Sequence, residues 1–128
     1  MSYYFSKILF LGFDEAVRRT VDALKQEGFG IITEIDLKET LKKKINVDFR
    51  NYRILGACNP SLAYEALQIE DKVGTMLPCN VVVQDIGDGR SEVAAIDPVA
   101  SMQAIDNPRL KQAAERVQTL LRKVIAGL

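Results

Sequence analysis

The sequence predicts a single α+β domain with two layers, in which a mixed sheet of about five strands carries helices mainly on one face. The length of 128 residues suits one domain, and 48% apolar and 27% charged residues are typical of a globular protein. Strand-like and helical segments follow one another in the order β-α-β-α-β-α-β-β-α. Because no linker, repeat or low-complexity stretch divides the chain, residues 1–128 are predicted to form one domain.

The N-terminal part of the chain predicts a β-α-β unit. Residues 3–11 have the pattern of a strand, residues 13–27 that of a helix, and residues 30–35 that of a second strand. Gly28 can supply the left-handed residue that ends the helix. Apolar side chains recur at helical spacing and predict the buried stripe of this helix, formed by Phe13, Val17, Val21 and Leu24.

The middle of the chain contains a helix start of a well-defined type. Residues 37–45 predict a short amphipathic helix, and residues 52–58 predict a third strand. Asn59 is a good N-cap and Pro60 suits the first helical position, so the next helix begins here and ends near Ile69. A loop follows this helix.

The last part of the chain predicts a hairpin and a long helix. Residues 79–86 and 91–96 alternate like paired strands, and a Gly-Asp-Gly-Arg turn at residues 87–90 connects them. Asn107 and Pro108 repeat the helix-start signal, and the helix runs nearly to the C-terminus. Its buried face is predicted to consist of Val117, Leu120, Leu121, Val124 and Ile125.

The composition excludes several kinds of catalytic and cofactor site. With no histidine, the chain has no Ser-His-Asp or Cys-His pair and no His-based zinc or haem site. It has no Walker A motif and no complete dinucleotide fingerprint. We therefore predict no catalytic residue and no metal site, leave the cofactor unknown, and expect a non-enzymatic protein.

Charge and hydropathy indicate where the protein resides. Because 17 basic and 17 acidic residues give zero formal net charge, nothing predicts a nucleic-acid or membrane-surface partner. No apolar run reaches the ~18 residues of a membrane helix, and the N-terminus lacks a signal-peptide pattern. We expect a cytoplasmic protein whose Cys58 and Cys79 are free thiols.

The charges are nevertheless unevenly distributed along the chain. Residues 38–53 contain six basic and two acidic side chains, whereas residues 65–106 contain two basic and eight acidic ones. The simpler interpretation is that both blocks are solvated faces. The alternative is self-association between a basic and an acidic surface.

The two cysteines are the first candidate functional residues. Cys58 ends a predicted strand directly before a helix N-terminus, where the helix dipole favours a thiolate. The simpler interpretation is that both cysteines are small, buried residues at strand ends. If the third and fourth strands were parallel neighbours, ~20 Å would separate the thiols at ~3.3 Å per residue. If the strands were antiparallel neighbours, the thiols would lie side by side, and the sequence leaves both arrangements open.

Polar residues at predicted strand ends form the second candidate group. Asp36, Asn59 and Asp97 follow three different strands. If these strands were parallel, their carboxyl ends would share one edge of the sheet, where ligands bind in open α/β folds. The helix that begins at Pro60 would add N–H groups suited to an anion. The alternative is that Asp36 and Asp97 only cap turns.

The sequence also resembles a known family over nearly the whole chain. The resemblance is carried by Gly28-Phe29, Glu34-Ile35-Asp36, Thr40-Leu41-Lys42-Lys43-Lys44, Tyr52-Arg-Ile-Leu-Gly-Ala-Cys58-Asn-Pro60, Leu77-Pro-Cys79-Asn-Val-Val-Val and Asp97-Pro98. These segments resemble domain-of-unknown-function family 302, a family of small bacterial and archaeal proteins. The resemblance implies an α+β fold and a homodimer, and it implies no activity, substrate or cofactor. The candidate positions that it marks are Cys58, Pro60, Pro78, Cys79, Asp97 and Pro98.

Three hypotheses of function follow. The first is a non-enzymatic, homodimeric module that binds a small ligand or a soft metal near Cys58 and Asn59. The second is a structural or adaptor protein that acts through its surfaces. The third is a thiol-dependent redox protein that uses Cys58 and Cys79. For the first hypothesis, the candidate ligand-binding residues are Cys58, Asn59, Pro60, Pro78, Cys79, Asp36, Asp97 and Pro98.

Overall fold

The computed structural model describes residues 2–128 and contains one five-stranded sheet. Its strand order is β1-β5-β4-β3-β2, and every neighbouring pair is antiparallel. The strands are β1 (Tyr4–Leu9), β2 (Gly30–Asp36), β3 (Tyr52–Cys58), β4 (Cys79–Gly87) and β5 (Arg90–Ile96). The predicted α+β class and number of strands are confirmed, whereas the strand directions are antiparallel throughout the sheet rather than mixed.

Five α-helices and one 3-10 helix complete the described chain. The α-helices are α1 (Phe13–Gln26), α2 (Leu37–Ile45), α3 (Pro60–Ile69), α4 (Pro98–Ser101) and α5 (Pro108–Ala126). The segment expected to be a loop after α3 contains the 3-10 helix Asp71–Met76, and the short α4 was not predicted. The two additions have only six and four residues, too few to show an apolar periodicity in the sequence.

The helix boundaries follow the local signals closely. Asn59 Oδ1 accepts from the backbone N–H of Leu62, and Asn107 Oδ1 accepts from the N–H groups of Arg109 and Leu110. Both N-cap predictions are therefore confirmed. Gly28 adopts a positive φ of 86°, as expected for the residue that ends α1.

The core lies between the sheet and the long helices α1 and α5. Strand residues that point inward, including Leu55, Val81, Val83 and Val93, are completely buried there. A smaller apolar cluster, centred on Ala66, Val73 and Leu110, lies apart from this main cluster. The apolar interior is thus divided into two clusters, and the space between them is the candidate site.

Candidate functional site

The candidate site lies at the end of the sheet where β3 ends and β4 begins, among the ends of the strands rather than along an outer strand. Because the two strands are antiparallel, Ala57 pairs with Cys79, and Cys58 is one residue beyond this pair. Of the two strand arrangements that the sequence left open, the structure therefore has the antiparallel one, which brings the two cysteines close together. The Leu77–Pro78 peptide bond, directly before Cys79, is cis.

A cavity of about 270 Å³ opens at this end of the sheet, between the sheet and helices α3 and α5. Phe29, Ala57 and Cys79 from the main core cluster form one side of it. Ala66 and Leu110 from the smaller cluster form the other side. The walls are almost entirely apolar, so the cavity suits an apolar ligand better than an ionic one.

Small side chains leave the space for this cavity. Ala63 and Ala66 lie one turn apart on α3, and Ala113 and Ala114 lie on α5. All four line the cavity. An exposed ion pair between Glu65 and Arg116 also connects the two helices. With alanines facing inward, the helices pack around a void rather than filling it.

The mouth of the cavity is marked by two exposed apolar side chains. Ile32 is 61% exposed and Leu67 is 39% exposed, and both line the cavity. The register between β2 and β3 shifts between Ile31 and Thr33, so Ile32 lies in a bulge. Bulges redirect a side chain without ending a strand. This bulge places an apolar side chain at the entrance.

Both thiols face the cavity, but they differ in burial. Cys58 is half-buried, and Cys79 is buried. Burial, together with the nearby Cys58 sulfur, raises the pKa of the Cys79 thiol from 9.0 to about 11. Cys79 is therefore a neutral thiol at physiological pH. A neutral, buried thiol behaves as a small apolar wall residue rather than as a nucleophile.

Five of the eight candidate residues from the sequence line this one cavity. They are Cys58, Asn59, Pro78, Cys79 and Pro98. Asn59 contributes its side chain while its Oδ1 caps α3, so the N–H of Leu62 already has a partner. The anion site expected at this helix start therefore has one of its donors taken by the cap.

The other three candidates lie outside the cavity wall. Pro60 is exposed at the first turn of α3. Asp36 lies at the opposite end of the strands, because β2 is antiparallel to β3. There its carboxylate caps α2, and its Oδ2 lies 3.9 Å from Nη2 of Arg53. The expectation that Asp36 shares an edge with Cys58 is wrong for this reason.

Asp97 is at the same end of the sheet as the cavity, but its carboxylate has a structural role. Its oxygens accept from the N–H groups of Val99 and Ala100 and from Nε2 of Gln118 at 3.0 and 3.2 Å. These bonds begin α4 and tie it to α5. Asp97 thereby positions Pro98, which does line the cavity.

Within residues 2–128, no group of three or more Cys, Asp or Glu side chains is arranged to hold a metal ion. No helix in this part of the chain is long and apolar enough to cross a membrane. The cavity itself offers two sulfur atoms and the Asn59 amide as its heteroatom-bearing side chains, together with the thioether of Met102.

The sequence did not identify the helical residues of the cavity wall. Their only sequence signal is the spacing of small residues, Ala63 with Ala66 and the adjacent Ala113 and Ala114. Small residues at helical spacing equally predict close helix packing. Whether these alanines line a cavity or allow close helix packing depends on the relative positions of α3 and α5. Contacts between residues far apart in the sequence determine those positions.

Comparison with known proteins yields one family and a structural neighbour. The family model described as "Domain of unknown function DUF302" matches residues 5–128. The fold is similar to the crystal structure of an uncharacterised conserved DUF302 protein from Bacillus stearothermophilus, with a TM-score of 0.90 and 28% identity over 98% of each chain. No curated protein matches the chain.

Proposed function

The chain belongs to the DUF302 family, whose name assigns no activity, and from its cavity we propose that it is a non-enzymatic module that binds a small apolar ligand. The observation that carries this proposal is the apolar cavity of about 270 Å³ between the two core clusters. Convergent apolar walls with few polar groups are the usual form of a small-molecule site.

The energetics of packing support a functional reason for the void. Residual cavities cost ~24 cal/mol per Å³, so an empty, closed void of this size would cost about 6 kcal/mol. The open mouth at Ile32 lowers that cost. A ligand that fills the void would offset much of this cost. Larger side chains in place of Ala113 or Ala66 would fill the void and remove the cost.

The size of the cavity limits the ligand. An engineered apolar cavity of ~150 Å³ holds benzene, so about 270 Å³ suits an apolar body of roughly ten non-hydrogen atoms. A soft metal is the less favoured ligand, because no carboxylate or third cysteine among the described residues joins the two thiols in a metal-binding group. We therefore name naphthalene as the probe for the experiment.

We expect the wild-type protein to bind naphthalene and the variant Ala113→Leu to lose at least ten-fold in affinity. The leucine would occupy the void, so the free energy of unfolding should stay constant or rise by ~1–2 kcal/mol. Binding is measured by naphthalene fluorescence and stability by urea denaturation.

The matched control is Ala126→Leu, which adds the same atoms at an exposed position of the same helix. It should bind naphthalene like the wild type. If Ala113→Leu folds poorly, Ala66→Leu tests the opposite wall. Equal affinity of both filled variants and the wild type, or no naphthalene binding to the wild type, would refute the proposed function.

We further propose that the protein is a homodimer, formed through the sheet face that α1 and α5 leave uncovered. This open sheet face consists of outward-pointing side chains on β1, β5, β4 and β3. Its apolar members include Tyr4, Ile8, Ala94, Ile96, Val82 and Tyr52, and its polar members are Ser6, Asn80, Gln84 and Glu92. Tyr4 is 41% exposed and Ile8 is 46% exposed. A depression of about 350 Å³ lies between the tyrosines, over Val82 and Ala94.

The size and charge of the open sheet face suit a second copy of the chain. Four strands of about six residues cover ~20 by 20 Å, so two such faces bury about 800 Å², the low end of the sizes of protein–protein interfaces. The carboxylate of Glu92 accepts from Gln84 at 3.0 Å, and Gln84 accepts from Arg50 at 2.8 Å. These side chains are thus hydrogen-bonded within the chain, and the two charged ones, Glu92 and Arg50, have opposite signs.

We expect the wild-type protein to have twice the 14.3 kDa mass of one chain and Ala94→Arg to be monomeric. An arginine at the centre of the open sheet face would bury two like charges across a two-fold axis. The measurement is light scattering coupled to size-exclusion chromatography. The control, Gln112→Arg, adds the same charge on exposed α5 and should leave the dimer intact. A monomeric wild type, or a dimeric Ala94→Arg protein, contradicts the proposed interface.

The two alternative functions have weaker support. The raised pKa of Cys79 counts against a redox pair that needs both thiolates. The basic block is carried partly by α2, where Lys43 pairs with Glu39 and Lys42 with Asp48, all of them exposed. This arrangement favours a solvated face over a basic docking surface. An adaptor function would have to use the open sheet face.

A further inference from the structure

A second depression, of about 570 Å³, adjoins the apolar cavity. Met102 and Ala114 line both spaces, so these two side chains form the partition between them. Met102 is half-buried at the end of α4. A methionine has three rotatable side-chain bonds, so it can move aside without disturbing the backbone.

The second depression differs from the cavity in its chemistry. Its wall contains Gln103, Asp106, Asn107 and Lys111, so polar and charged groups gather where the apolar cavity ends. Lys111 is exposed and forms no ion pair with any residue from 2 to 128. An apolar cavity next to a polar depression is the arrangement that an amphiphilic ligand requires.

The charge of the ligand's polar head can be inferred from the protein groups that line the second depression. Lys111 is cationic, and it lies in the first turn of the 19-residue helix α5, where the dipole adds positive potential. Asn107 Oδ1 is occupied by the N–H groups of Arg109 and Leu110, which leaves its Nδ2 as a donor. The opposing group is the carboxylate of Asp106, so the positive contributions predominate.

Resting on the proposed function, we propose that the ligand is a medium-chain amphiphile with a single carboxylate head. Its hydrocarbon chain lies in the apolar cavity beside Cys58 and Cys79. The chain passes the Met102 partition, and the carboxylate meets Lys111 and the amide of Asn107. A chain of about eight carbons fits a cavity that suits roughly ten non-hydrogen atoms.

The test compares octanoate with 1-octanol, which has the same chain and no charge. Isothermal titration at low ionic strength should give the wild type at least five-fold higher affinity for octanoate. Lys111→Gln should abolish this preference and leave the affinity for 1-octanol unchanged. Asp106→Asn should strengthen octanoate binding about two-fold or more, because it removes the repelling charge.

The control variant is Lys25→Gln, which removes an exposed lysine of α1 far along the chain from the depression and should behave like the wild type. Equal affinities for octanoate and 1-octanol in the wild type, or an unchanged preference in Lys111→Gln, would overturn the carboxylate head and leave the apolar site standing. If neither octanoate, 1-octanol nor naphthalene binds, the proposed function fails together with this inference.

Discussion

Replacing Gly56 with alanine is expected to lower the free energy of unfolding by about 3 kcal/mol, at the upper end of typical overpacking costs. A Cβ atom at this position would lie 1.9 Å from Thr33 Oγ1 and 2.7 Å from Pro78 Cγ. Thr33 pairs with Gly56 across the β2–β3 register shift, and Pro78 is a wall of the cavity. The absent side chain is what lets the two neighbours approach, so the loss should appear in urea denaturation and in weaker naphthalene binding.

Two further variants separate this steric cause from a general effect of alanine. Gly30→Ala adds the same methyl group to the neighbouring strand β2, where no atom lies within 4 Å, and it should keep or raise the free energy of unfolding, by at most about 1 kcal/mol. Gly56→Ala combined with Thr33→Ala removes the closest clash and should recover part of the loss. A Gly56→Ala protein within ~0.5 kcal/mol of the wild type would show that the edge of the sheet relaxes freely.

Local signals predicted the elements well because their causes are local. Asn59 and Asn107 are helix N-caps in the structure as in the sequence, since a cap needs only its own side chain and N–H groups two or three residues ahead. Gly28 ends α1 for the same kind of reason. The sequence also located the turn at residues 87–90, where Gly87 and Gly89 both have positive φ.

The directions of the strands could not be predicted from local sequence signals. A helical connection allows the next strand to be parallel or antiparallel, and hydrophobic alternation is the same in both. β1 and β2 flank the first helix in sequence, yet they form opposite edges of the sheet. The antiparallel pairing of β2 with β3 places Asp36 far from Cys58, and the antiparallel pairing of β3 with β4 places the two cysteines near one another.

The candidate site was predicted in part for a related reason. Residues that end β3 and begin β4 could be found from strand boundaries, and Cys58, Asn59, Pro78 and Cys79 all line the cavity. The facing wall on α5, including Ala113, depends on how two helices separated by more than thirty residues pack together. No local pattern contains that information.

Raising the pH from 8.5 to 11.5 is expected to destabilise the wild-type protein by about 2 kcal/mol more than the variant Cys79→Ala, because the pKa of the Cys79 thiol is raised. Well below pH 9 the thiol is protonated in both the folded and the unfolded chain. Above it, the unfolded chain loses the proton with a pKa near 9.0, while burial holds the pKa of the folded chain at about 11. The unfolded state then binds fewer protons, so stability falls as the pH rises through this window.

Urea denaturation of both proteins across the window provides the measurement, and the difference between them cancels the titration of lysines and tyrosines. Cys58→Ala serves as the matched control and should keep most of the wild-type slope, because burial is the larger cause of the raised pKa. A constant difference between the wild type and Cys79→Ala would mean that Cys79 titrates like an exposed thiol. In that case the Cys79 thiolate would form near pH 8 to 9. Cys58 and Cys79 could then react as a pair, and the redox hypothesis would be favoured.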